Sequence, residues 1–124
     1  GVSYIKAARQ PTTKCGSIPS GFGLNSGDSI KSCDGRFELV MQSDGNLVMY
    51  QGSKALWSAG TSGKHAYKAE LQGDGNFVIY DGKGDALWNS GTGGHAGAGL
   101  DLQTDGNMVI YASAGHAIWS TGTR

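Results

Sequence analysis

The sequence predicts an all-β protein built as a three-fold array of antiparallel units. Three observations predict it. The segment MQSDGNLVMY at 41–50 recurs as LQGDGNFVIY at 71–80 and as LQTDGNMVIY at 102–111, and self-similarity at a period of about 30 residues marks a repeat architecture. Each copy places Asp-Gly between alternating apolar residues, the strongest short-range hairpin signal. No segment carries the 3.6-residue apolar periodicity of a helix. At 124 residues the chain fits one domain with a shared core rather than three separate ones.

The elements follow in order along the chain. Residues 1–16 match no repeat and read as an N-terminal arm or linker, tied down through Cys15. Residues 17–35 hold two short candidate strands broken by glycine and serine. The first hairpin spans about 36–50 and is followed by ALWSAGTSG at 55–63. The second spans about 66–80, followed by ALWNSGTGG at 86–94, and the third about 98–111, followed by AIWSTGTR at 117–124. Residues 17–124 are therefore expected to form a single domain of three repeats.

Side-chain parity sets the hairpin loop length, because successive strand residues face opposite sides of a sheet. A two-residue loop Asp44-Gly45 would pair polar Gln42 with apolar Leu47. A three-residue loop Ser43-Asp44-Gly45 pairs Gln42 with Asn46 and Met41 with Leu47, which keeps the apolar side chains together. It also puts Gly45 where such a loop needs a left-handed residue. Gly75 and Gly106 take the same role. The inner face then carries Leu39, Met41, Leu47 and Met49; Ala69, Leu71, Phe77 and Ile79; and Leu100, Leu102, Met108 and Ile110. The outer face carries the Gln, Asn, Val and Tyr of each copy, with the Asp leaning over from the loop.

Trp57, Trp88 and Trp119 recur at intervals of 31 residues, each after an aliphatic residue and before Gly-Thr. One tryptophan per repeat predicts three indoles converging where the repeats meet. Large aromatics bury roughly 150–250 Å² each, which a small β-domain needs. The alternative is exposed indoles stacking on sugar. Cys15 and Cys33 both precede the first hairpin. They predict a disulfide, with two buried thiols as the alternative, and a disulfide implies an oxidising compartment and a secreted protein. Closing a loop of that size contributes about 3 kcal/mol in the chain-entropy model.

Composition excludes several function classes. Ten basic and ten acidic residues give a formal net charge of zero with no charge run, which argues against nucleic acid or an anionic membrane as partner. No apolar stretch approaches the roughly 18 residues of a membrane span. No signal peptide is legible, and Gly1 reads as a processed or introduced start. A zinc site is not expected, because no second cysteine or histidine pair stands at ligand spacing. His65 and His95 follow equivalent turns while His116 sits out of register, so no shared metal site is expected. Asp81-Gly-Lys-Gly-Asp85 lacks the EF-hand ligand pattern and reads as a turn.

A solvated strand face needs only to be polar; it does not need five particular residue types three times over. Gln, Asp, Asn and Tyr together supply carboxylate acceptors, amides that donate and accept, and a phenol. Val adds a small apolar patch. The mix suits vicinal hydroxyls on a ring with one C–H face. It is a poor catalytic set: each copy has a single carboxylate, whereas glycoside hydrolysis uses a pair.

Gln-x-Asp-x-Asn-x-Val-x-Tyr, three times over residues 18–124, resembles the monocot mannose-binding (bulb-type, snowdrop-agglutinin-like) lectins. The resemblance implies a β-prism II, three four-stranded antiparallel sheets with pseudo-three-fold symmetry and tryptophans near the centre. It also implies one mannose per motif. Asp44 and Asn46 would take the 2-hydroxyl, Gln42 the 3-hydroxyl and Tyr50 the 4-hydroxyl, with Val48 against ring carbons. The same roles fall to Gln72, Asp74, Asn76, Val78 and Tyr80, and to Gln103, Asp105, Asn107, Val109 and Tyr111. An axial 2-hydroxyl would then favour mannose over glucose.

The implied protein is a non-enzymatic, extracellular lectin. It needs no cofactor or metal and recognises α-mannosides on glycans or polysaccharides weakly and multivalently. The alternative is a structural or protein-interaction β-prism with silent pockets, which predicts decayed motifs; here all fifteen positions match. Plant members usually carry a cysteine where Gly45 stands, and both cysteines here lie upstream, so the resemblance points to a non-plant member. Plant members often exchange C-terminal strands. The resemblance therefore allows a homodimer, with AIWSTGTR pairing in its own sheet or a neighbour's.

Overall fold

A computed structural model describes residues 6–11 and 14–123. The rest of the expected arm (1–5, 12 and 13) and the last residue of the AIWSTGTR segment lie outside the described residues. Among the described residues the chain forms twelve strands: β1 (Ser17–Ile18), β2 (Gly23–Asn25), β3 (Ser29–Lys31), β4 (Phe37–Met41), β5 (Leu47–Gln51), β6 (Lys54–Ser58), β7 (Ala66–Leu71), β8 (Phe77–Asp81), β9 (Ala86–Asn89), β10 (Gly99–Leu102), β11 (Met108–Tyr111) and β12 (Ala117–Ser120). They make three four-stranded antiparallel sheets, ordered β3-β4-β5-β6, β2-β7-β8-β9 and β1-β10-β11-β12.

Each sheet is one predicted hairpin plus the Trp-bearing strand that follows it, completed by one short N-terminal strand. That last part corrects the sequence reading. Residues 17–35 supply three strands instead of two, and each goes to a different sheet. These strands are two or three residues long, too short to show any periodicity. The Cys15–Cys33 disulfide forms. It ties the start of β1, in the third sheet, to the β3–β4 loop of the first.

The hairpin register follows the parity argument. Met41 pairs with Leu47, Leu71 with Phe77 and Leu102 with Met108. Gln42 N donates to Asn46 O at 2.9 Å and Gly45 N to Gln42 O at 3.0 Å, which closes a three-residue loop. Gly45 has φ 93°, and Gly75 and Gly106 match it. All twelve predicted inner-face residues are buried and form the core. Trp57, Trp88 and Trp119 meet edge to face, with ring centroids 5.6, 5.7 and 5.8 Å apart. They pack, partly buried, against that core.

The Ala-Leu-Trp pattern breaks strand alternation, and a bulge accounts for it. In the first sheet Met49 pairs with Trp57 but Tyr50 pairs with Ala55, so Leu56 is an extra residue. The same register shift occurs at Ile79/Tyr80 and at Ile110/Tyr111. A bulge lets two consecutive side chains turn the same way. Leu56 and Trp57 both reach the core, as do Leu87 with Trp88 and Ile118 with Trp119.

Candidate functional site

The outer faces of the three hairpins each collect one copy of the motif. In the first, Asp44 Oδ1 accepts from Asn46 N at 2.9 Å, an Asx-type contact that shapes the loop. Gln42 Nε2 donates across the hairpin to the Tyr50 hydroxyl. Asn46 Oδ1 accepts from Gly60 N and Thr61 N, both at 3.1 Å. Since backbone N–H groups can only donate, the amide oxygen must face them, and Asn46 Nδ2 is left as a donor.

The other copies repeat this arrangement. Asp74 Oδ1 accepts from Asn76 N and Asp105 Oδ1 from Asn107 N, both at 2.9 Å. Gln72 donates to the Tyr80 hydroxyl and Gln103 to that of Tyr111. Asn76 Oδ1 accepts from Thr92 N, and Asn107 Oδ1 from Gly122 N and Thr123 N. All fifteen predicted site residues are therefore brought together as three clusters of five. Val48, Val78 and Val109 sit deeper than an outer-face residue normally does, at 3%, 3% and 4% exposure. Each is the floor between flanking polar side chains.

The sequence reading missed the threonine after each Trp segment. Thr61 Oγ1 donates to Gly45 O, Thr92 Oγ1 to Gly75 O and Thr123 Oγ1 to Gly106 O, each at 2.6 Å. The Gly-Thr pair thus clamps the hairpin loop and orients the motif asparagine. Its signal was legible, since Gly-Thr recurs in step with the motif, but spacing alone did not show which groups it would meet.

The surroundings of the clusters differ. A cleft of about 390 Å³ lies against Gln42 and Asp44, lined also by Gly27, Val40 and Ser43. One of about 400 Å³ lies against Gln103 and Asp105, lined by Lys14, the disulfide and Asp101. Arg36, ion-paired to Asp34, donates to Thr104 O in the third loop. The Ser32 hydroxyl and Arg36 hold the Asp34 carboxyl down to a pKa of about 2. Asp81 Oδ1 accepts from Lys83 N and Asp85 N in the β8–β9 turn, so Asp81–Asp85 is a self-capped turn as expected. His95 Nδ1 lies 3.0 Å from Thr92 O in the turn behind the second loop.

Three sheets around one core, each presenting the same polar cluster on its outer face, define a β-prism of the lectin class. No protein-family model matches the chain. The B-type lectin plumieribetin of Scorpaena plumieri is 38% identical over 63 residues, 51% of this chain and 55% of that protein. The chain thus spans about half the length of this curated relative. Among solved structures, the Marasmius oreades lectin is 35% identical with a TM-score of 0.82, over 89% of this chain and 92% of that one. The mannose-specific agglutinin of snowdrop (Galanthus nivalis) bulbs, solved with methyl-α-D-mannoside, is 37% identical with a TM-score of 0.73, over 88% and 97%. The chain belongs to the monocot mannose-binding (bulb-type) lectin family and has its β-prism II fold. The fish relative agrees with a non-plant member.

Proposed function

We propose that the protein is a non-enzymatic lectin that binds α-mannosides at up to three sites. One observation carries the reading. In every copy the internal hydrogen bonds use the same half of each polar side chain and leave the complementary half without a partner among the described residues. Gln42 uses Nε2 and keeps Oε1; Asp44 uses Oδ1 and keeps Oδ2; Asn46 uses Oδ1 and keeps Nδ2. The Tyr50 oxygen accepts from Gln42 and keeps its proton to donate. The remaining set is two acceptors and two donors around a valine, held rigid before a ligand arrives. That complements adjacent ring hydroxyls, and it occurs three times.

Each hydrogen bond adds a net of about 0.5–1.5 kcal/mol. Four or five of them, after association costs, leave about −4 kcal/mol, or millimolar affinity. Useful binding then comes from several sites engaging one branched glycan or polysaccharide, which raises avidity through effective concentration. A homodimer would double the valency. β12 pairs with β11 of its own chain, and a dimer could keep that pairing or exchange the strand between copies. We assign residues 17–124 to the lectin domain and 1–16 to an arm, and place the protein outside the cell, a setting in which the disulfide is stable.

The test is a titration with methyl α-mannoside followed by NMR, with methyl α-glucoside and methyl galactoside as controls. Weak, mannose-selective shifts are expected in the three Asp-Gly-Asn loops. Asp74→Asn should silence the second loop alone; loss of all binding in that variant would exclude independent sites. No shift in any loop at high sugar concentration would favour the protein-interaction reading. Turnover of an aryl mannoside would refute the non-enzymatic one.

A further inference from the structure

The three clusters share five residue types but not their neighbours. On the strand beside each motif tyrosine and valine stand Glu38 and Val40 in the first sheet, Lys68 and Glu70 in the second, and Gly99 and Asp101 in the third. Cross-strand neighbours on one face lie within about 4.5–5.5 Å at Cβ, so these residues border the site directly. The second differs most. Lys68 is only 6% exposed, unusual for a lysine on an outer face.

The N-terminal segment covers it. Ala8 is buried against the second sheet, and Asn25 on β2 holds its backbone from both sides: Ala8 N donates to Asn25 Oδ1 at 2.8 Å, and Asn25 Nδ2 donates to Ala8 O at 3.1 Å. Gly23 N donates to Arg9 O at 2.7 Å, and the Arg9 guanidinium lies over the Phe22 ring. So docked, the segment brings Lys6 O to Lys68 Nζ at 2.8 Å. The same ammonium lies 3.6 Å from Glu70 Oε1 and 5.6 Å from the centroid of the Tyr80 ring. Neither of the other sheets has a cation over its motif tyrosine among the described residues.

We propose that the N-terminal segment is part of the second site. It fixes Lys68, and Lys68 positions Tyr80 for the sugar, so the second site differs in affinity from the other two. Lys68 is a positioning residue, since it acts through the tyrosine ring. The ammonium is held from three sides, by the Lys6 carbonyl, the Glu70 carboxylate and the π-face of Tyr80. The tyrosine therefore gains a second restraint besides its bond to Gln72. Among the described residues, Tyr50 and Tyr111 have the glutamine bond and no cation on the ring.

This inference rests on the mannoside reading, and the experiment separates the two. Methyl α-mannoside would be titrated into the full chain and into Lys68→Met, Lys68→Arg and Asn25→Ala, with each loop read separately by NMR. Lys68→Met should weaken the second site about two- to five-fold and shift the Tyr80 ring protons, while the first and third sites hold as internal controls. Lys68→Arg should restore both, and Asn25→Ala, which releases the segment, should reproduce the loss. An unchanged second site in Lys68→Met, with the other two responding, overturns this inference alone. Equal loss at all three sites marks a general structural defect and also overturns it. Silence at every loop in the unmodified chain overturns the mannoside reading and this one with it.

Discussion

Replacing Thr61 by valine keeps the side chain's shape and removes only its hydroxyl. Thr61 is 1% exposed, and its Oγ1 donates to Gly45 O at 2.6 Å inside the protein. Without the hydroxyl, that loop carbonyl is left buried with no donor. An unsatisfied buried acceptor costs about 1–3 kcal/mol. For a chain of this size each kcal/mol lowers the melting temperature by about 3–6 °C. Urea unfolding of Thr61→Val, with the disulfide intact, is expected to show a loss in that range. A second readout ties the clamp to the site. Thr61 N also orients Asn46, so loosening the clamp should weaken mannoside-induced shifts in the first loop and leave the second and third unaltered. A variant as stable as the parent, with an unchanged first site, would refute the idea that the Gly-Thr pair holds the loop in place.

Three further expectations follow from the same geometry. Trp88→Ala removes one of three mutually packed indoles and the partner of Phe77; truncating a large aromatic costs about 3–5 kcal/mol, and with the indole half-buried the lower end is expected in urea unfolding. Reducing Cys15–Cys33, or replacing both by serine, should cost about 3 kcal/mol; no drop in melting temperature with reductant would contradict it. Asp34 titrates at about 2 when folded, below its ordinary value of 3.8. A depressed carboxylate stabilises the folded state above its unfolded pKa, and that contribution is lost as pH falls through the folded value. Stability measured from pH 5 down to pH 2 should therefore fall more steeply in the parent than in Asp34→Asn, and parallel curves would remove Asp34 from the account.

Much of the site was legible because the residues that make it are adjacent in sequence. Gln42 to Tyr50 span one hairpin, and strand parity with the Asp-Gly turn puts them on one face at the register observed. The inner-face residues followed from the same parity, whereas the meeting of the tryptophans was read from one indole per repeat and the disulfide from the two cysteines the chain contains. The Gly-Thr clamp escaped because it depends on a contact 16 residues away. Equivalent spacing shows that something is repeated, not which atoms meet. The bulge at Leu56, Leu87 and Ile118 escaped because an extra residue in a strand is visible only against its partner.

What the sequence by itself determined is the repeating unit: its turn, its two faces and the five side chains gathered on the outer one. Those depend on backbone sterics and alternation within a few residues. Only the tertiary structure decided how the units close. β1, β2 and β3 are too short to be specified locally, and each finds its sheet through an edge left open by a hairpin strand, from Lys31 pairing with Glu38 nearby to Ser17 pairing with distant Asp101. The docking of the N-terminal segment on the second sheet is of the same kind. Lys6, Asn25, Lys68 and Tyr80 share no motif and no period; they meet because the folded prism offers one surface on which their donors and acceptors are satisfied together.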